Sequence, residues 1–142
     1  MSSASNDLPS DGLADALIQT TFEVTGVLSR IGAEHDLSLT QLRVLGILRE
    51  RRPRVTDLAA HLGLDKSTIS GLIDRAERRG HVVRERSTHD RRAVEVLLTA
   101  EGRELTHRMY DAAHRELTPM LDALDPDQRA RLELLLALVL RE

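Results

Sequence analysis

The chain has 142 residues and carries 20 Lys+Arg against 23 Asp+Glu, a formal net charge of −3, with 41% hydrophobic and 30% charged residues. That is the balance of one ordinary globular domain rather than of a disordered chain. It contains no Cys, which excludes disulfides, thiolate catalysis and Cys-based zinc sites, and no apolar run reaches the roughly 18 residues that a membrane span needs.

The opening stretch MSSASNDLPSDG is polar and acidic. It has neither the basic n-region nor the apolar h-region of a signal peptide, so it reads as a disordered tail over 1–11 on a cytoplasmic protein. Leu13, Leu17, Val24, Leu28 and Ile31, with Phe22 and Val27 beside them, then recur at helical spacing, which predicts a long first helix ending near Gly32. Ser38 and Gln41 form an S-x-x-Q capping box, and Leu37 with Leu42 a hydrophobic staple, so a second helix starts there. It buries Leu42, Val44, Leu45 and Leu48 and cannot continue through Pro53. Thr56 is expected to cap a short helix over Asp57–Leu62, with Gly63 in the left-handed position after it. Asp65 caps the next helix, which runs to about Arg79 and closes at Gly80. Helix, tight Gly-containing turn, helix is the spacing of a helix-turn-helix.

After Gly80 the period changes to two. His81–Arg86 and Ala93–Leu98 read as paired strands around the polar loop Ser87–Arg92, a β-ribbon with a basic tip. Thr99 caps a further helix, and Asp125-Pro126-x-Gln128 is a second capping box with Pro at the first helical position. The last helix carries Leu132, Leu135, Leu136, Val139 and Leu140, widened by Leu134 and Ala137. That is more apolar surface than one packing face needs, and with the first helix it points to an isologous two-fold dimer. The expected fold is therefore mainly α with a small β-wing: a winged helix-turn-helix lobe over 37–99, between dimerisation helices over 12–36 and 100–142.

Charge is unevenly placed. Residues 51–95 hold eleven basic side chains against seven acidic ones, so a basic centre lies between acidic flanks, the footprint of a surface for a polyanion. Within the helix 66–79, Ile69, Leu72, Ile73 and Ala76 make one apolar face. Ser67, Gly71, Asp74 and Arg78 lie opposite, flanked by Lys66, Thr68, Ser70 and Arg75. Small hydroxyl side chains let a helix approach base edges, and Arg75 and Arg78 reach phosphates or a guanine. The plainer alternative is an exposed face with Ser and Thr near a helix start. At the ribbon tip, Asp90, Arg91 and Arg92 offer a cationic probe for the minor groove. In an extended segment Asp90 and Arg92 point the same way, so the carboxylate is expected to hold the Arg92 guanidinium. With one Phe and one Tyr in the chain, stacking on single strands is not the expected mode. No nucleophile–base pair has motif context and no phosphate loop is present, so neither an enzyme nor a cofactor is expected.

LSLTQLRVLGIL (37–48) and VTDLAAHLGLDKSTISGLIDRAERRGHVVRERSTHDRRAVEVLLTAEGREL (55–105), with the closing amphipathic helix, resemble the MarR family of bacterial transcriptional regulators over about residues 12–141. The resemblance implies a homodimer with intertwined terminal helices on palindromic double-stranded DNA, a repressor or less often an activator, commonly relieved by a small anionic or phenolic effector. It carries DNA contacts onto Ser67, Thr68, Ser70, Gly71 and Arg75, and onto Arg92 oriented by Asp90; Gly71 departs from a longer side chain that would touch a base. It places an effector pocket between dimer helices and lobe, near Phe22, Val27, Ile31 and His35, with Arg43 or Arg49 meeting an anion. Core packing and surface arginines are the alternative for those residues. The peroxide-sensing branch, which needs Cys, is excluded. His107, Asp111 and His114, at i, i+4 and i+7, have a spacing that can share zinc, but we read them as a solvated face and expect no metal. The competing function is a winged helix that only contacts other proteins.

Overall fold

In a computed structural model the described residues are 12–141, so the tail expected over 1–11 lies outside them. Six helices and one two-stranded sheet follow in order: α1 Gly12–Glu34, α2 Leu39–Leu48, α3 Val55–Leu62, α4 Lys66–Arg78, β1 Val82–Arg86, β2 Val94–Leu98, α5 Ala100–Leu121 and α6 Pro126–Leu140.

The helix starts follow local chemistry. Ser38 Oγ accepts from the Gln41 amide at 3.1 Å while Gln41 Oε1 accepts from the Ser38 amide at 2.7 Å, so the predicted capping box fixes the start of α2. The same exchange between Asp125 and Gln128 opens α6. One start was misplaced: α3 begins at Val55 with Arg54 as its N-cap, not at Thr56. The Asp57 carboxylate accepts the Arg54 amide at 3.3 Å, and this acid three residues into the helix sets the boundary two residues early. Asp65 caps α4 by position, but its side chain makes no capping bond. The first helix runs two residues past the expected Gly32 and is closed by Asp36 at φ 54°. Gly63 (φ 65°) and Gly80 (φ 79°) sit in the left-handed turns that the sequence assigns them.

α2, α3 and α4 pack with the sheet and the first half of α5 around Leu45, Leu48, Leu58, Ile69, Ile73 and Val96, and the inner end of α1 closes the core with Ile31. The strands are antiparallel, with Val82 opposite Leu98 and Arg84 opposite Val96. The outer edge of β2 is pinned to the segment before α3, where Val96 N–H donates to the Pro53 carbonyl at 2.9 Å.

The junction between wing and α5 is tight. Thr99 Oγ1 donates to the Gly80 carbonyl at 2.6 Å and accepts the Gly102 amide at 3.0 Å, while Thr99 N–H reaches the His81 carbonyl at 3.0 Å. A Cβ on residue 102 would lie 1.9 Å from that His81 oxygen, so only glycine allows the approach. Burial beside Arg79 lowers the His81 imidazole below its usual range, against a smaller opposing pull from Glu101.

Candidate nucleic-acid interface

The helix α4 buries Ile69 and Ile73 completely, and this anchors its opposite face outward. Lys66, Ser67, Thr68, Arg75 and Arg78 are exposed, with Ser70 and Gly71 half-buried. A Cβ at Gly71 would meet nothing within 4 Å, so packing does not require glycine there, and the helix backbone is open to close approach from outside.

The wing tip is a closed, hydrogen-bonded turn. Ser87 N–H donates to the Ala93 carbonyl at 2.9 Å, and Ala93 N–H to the Asp90 carbonyl at 3.0 Å. The buried Ser87 hydroxyl accepts the amides of His89 and Asp90 at 3.2 and 3.3 Å. Asp90, Arg91 and Arg92 are exposed at its apex. The expected grip of Asp90 on the Arg92 guanidinium is absent. Asp90 Oδ1 accepts the Arg92 backbone amide at 3.0 Å, and Oδ2 pairs with Arg54 at 3.4 Å. Residues 90–92 turn rather than extend, so the rule that i and i+2 share a direction does not apply. Among the described residues the Arg92 guanidinium has no ion pair, while the turn beneath it is held and tied to the start of α3.

Two further arginines are engaged within the lobe. Arg79 donates to the backbone carbonyls of His35 and Asp36 at 2.8 and 3.1 Å and ties the end of α4 to the α1–α2 turn. Arg84 on β1 pairs with Asp74 at 2.9 Å and with Glu77, both on α4. Neither pair was expected from sequence, although the opposite charges were there to be matched.

A concavity of about 580 Å³ opens between α1, α2, α3 and α5, lined among others by Thr21, Thr25, Arg43, Arg51, His61 and Tyr110. Of the six residues expected near a pocket, only Arg43 lines it. Phe22 is 72% exposed, Ile31 is core at 1%, Val27 packs against that core, and the His35 carbonyl is taken by Arg79. Tyr110, which the sequence reading did not single out, carries the Arg49 guanidinium over its ring at 4.3 Å, a cation–π contact. Tyr110 also lines an adjoining apolar space of about 220 Å³ with Val24, Met109 and His114. His107 Nε2 lies 3.3 Å from Asp111, but His114 turns to that apolar space. Among the described residues no three His, Cys, Asp or Glu side chains gather as a metal set. No described helix is long and apolar enough to cross a membrane.

A sequence model of the MarR family matches residues 35–93. The chain is 35% identical over 95 residues to the HTH-type transcriptional regulator YfiV of Bacillus subtilis, a match covering 66% of this chain and 59% of that protein. It is 30% identical over 118 residues to the homoprotocatechuate degradative operon repressor of Escherichia coli, covering 80% and 79% of the two chains. Among solved structures, CouR from Rhodococcus jostii RHA1 bound to p-coumaroyl-CoA is similar at a TM-score of 0.76 and 26% identity, over 92% of each chain. The two sequence relatives are named as a transcriptional regulator and an operon repressor.

Proposed function

The chain belongs to the MarR family, and on that premise we propose that it is a sequence-specific reader of double-stranded DNA acting in the cytoplasm as a homodimeric transcriptional repressor. The observation that carries this reading is the outward face of α4, with Lys66, Ser67, Thr68, Arg75 and Arg78 exposed beside the Arg91–Arg92 wing tip. In this reading Ser67, Ser70 and the open backbone at Gly71 approach base edges in the major groove. Arg75, Arg78 and Lys66 meet phosphates, and Arg92 enters the minor groove from a turn that Asp90 holds. The lobe over 37–99 does the reading. The flanking segments 12–36 and 100–142 build the dimer, through the apolar side chains that α1 and α6 leave uncovered. A dimer of this kind takes an imperfect palindrome with half-sites about one helical turn apart, on the order of 34 Å.

The cavity of about 580 Å³ is the place we assign to an effector that releases the DNA. Arg43, Arg51 and His61 offer cationic and donor groups, and Tyr110 with Leu28 and Leu42 offers apolar walls, a lining suited to a small anionic or phenolic molecule. The relative named for homoprotocatechuate degradation and the p-coumaroyl-CoA held by CouR support that class of ligand.

The test is selection of duplexes from a random pool, followed by binding at graded salt. The expected result is an enriched inverted repeat whose affinity falls steeply, with a slope of about −0.9 in log K per neutralised phosphate over roughly 6–10 contacts. Arg92→Ala should weaken binding almost uniformly over major-groove variants of the site. Ser67→Ala and Ser70→Ala should change sequence preference by roughly 1–3 kcal/mol per affected base pair. Salt-independent affinity, or no enriched sequence, would instead favour a protein-docking winged helix.

A further inference from the structure

The outward face of α4 contains a charge of the wrong sign for a polyanion. Asp74 follows Ser67 and Gly71 and precedes Arg78 on that face, and Glu77 stands one turn further along the helix. Left alone, two carboxylates there would repel phosphates and weaken the field of Arg75 and Arg78. They are not left alone. Arg84 reaches across from β1, its side chain 27% exposed; one terminal nitrogen, Nη2, donates to Asp74 Oδ1 at 2.9 Å and the other, Nη1, to Glu77. The two acids are three residues apart and therefore neighbours on the helix surface, and a single planar fork spans both in a way that an ammonium group cannot. Arg75 and Arg78, on the same helix as the two acids, make no ion pair with either among the described residues. Arg84 lies on the inner side of β1 with Val82, opposite the buried Val96, so the strand that supplies it is fixed by the core.

We propose that Arg84 is a positioning residue for DNA recognition: from the wing it neutralises Asp74 and draws both carboxylates of α4 toward β1, so that an incoming duplex meets Arg75 and Arg78 rather than two acids. This rests on the DNA-reading function proposed above. It also gives the wing a task besides its tip, because the recognition helix has its effective charge only while β1 is docked against it.

The experiment uses the full chain and a duplex that the parent protein selects from a random pool. Arg84→Gln should weaken binding about ten-fold or more at low salt, with the gap narrowing as salt screens the exposed acids. Asp74→Asn with Glu77→Gln should bind at least as tightly as the parent and show a steeper salt dependence, because Arg84 then remains as an additional free cation. The triple variant should return to within about three-fold of the parent, since it has neither acid nor mask. If Arg84→Gln does not fold, the double variant carries the test alone. Binding by the double variant as weak as that of Arg84→Gln, or a triple variant no better than Arg84→Gln, overturns the proposal and leaves the triad as a brace of the fold. A parent chain that selects no duplex overturns the DNA reading itself, and this proposal with it, before any variant is made.

Discussion

Helices α4 and α6 both carry apolar side chains along their length, yet the chain treats them in opposite ways. In α4 the apolar residues keep to one face, and Ile69 and Ile73 are wholly out of solvent. In α6, PDQRARLELLLALVL, apolar residues extend round the helix and none of the fifteen is buried; Leu134, Leu138 and Leu140 are about two-thirds exposed. Burying one such side chain stabilises by about 1.5–3 kcal/mol, so α4 has already gained what α6 has not. A one-sided stripe is satisfied within its own lobe. An all-round one is left uncovered by the single chain, and the second copy proposed above is the partner that would cover it.

The largest expected effect breaks that contrast at α6. Leu135→Asp with Val139→Asp should convert the proposed dimer to monomers or insoluble protein, as read by sedimentation. The helix content of the lobe should survive in any soluble fraction, and an unchanged dimer would remove the distinction drawn here. A change on the α4 side acts on the fold instead. Ile73→Ala should cost about 2–5 kcal/mol in chemical denaturation through the cavity it leaves, and Gly102→Ala about 3 kcal/mol by forcing α5 off the His81 carbonyl. A loss below about 1 kcal/mol in either would mean that the lobe packs more loosely than the burial of its core implies.

Smaller effects sharpen the picture at the lobe's edges. Thr99→Ala removes a helix cap together with the hydrogen bond to Gly80 and should cost about 1 kcal/mol in the same assay. Acidification should act through His81. Burial, and secondarily Arg79, lower its folded pKa below the unfolded value of 6.5, with Glu101 opposing. The unfolded chain therefore takes up the proton first, and the contribution of His81 is fully present above pH 6.5 and lost as pH falls through the depressed folded value. Melting temperatures followed downward from pH 7 should decline less in His81→Asn than in the parent. An equal decline in the two would place the acid sensitivity elsewhere.

What the sequence made legible was mostly local. Ser38 with Gln41, Asp125 with Gln128, Thr99 with Gly102 and the turn at Gly63 all act within four residues, where residue type and spacing determine the geometry. The α6 stripe was legible too, because an all-round pattern needs no partner to be seen. The failures span longer distances. Asp90 chose Arg54, 36 positions away, over Arg92; Arg84 chose two acids on a preceding helix; Arg49 found Tyr110 across the fold. Each depends on where the core places two elements, which spacing along the chain does not encode. The concavity has the same origin: Phe22 and Ile31 lie on one helix but face solvent and core respectively, while Tyr110 on α5 supplies part of its wall.

The seat of α5 against the wing has a mechanical consequence. The helix has 22 residues, which makes it a rod about 33 Å long. Its near end is locked to the backbone at the close of α4 by Thr99 and Gly102, and its far end, past Pro119, runs on to α6. A tilt of roughly ten degrees about the far end would displace the seat, and the end of α4 with it, by about 6 Å. The cavity lined by Tyr110 lies beside this helix, so a change in how α5 leans there would be delivered at its near end as a displacement of α4.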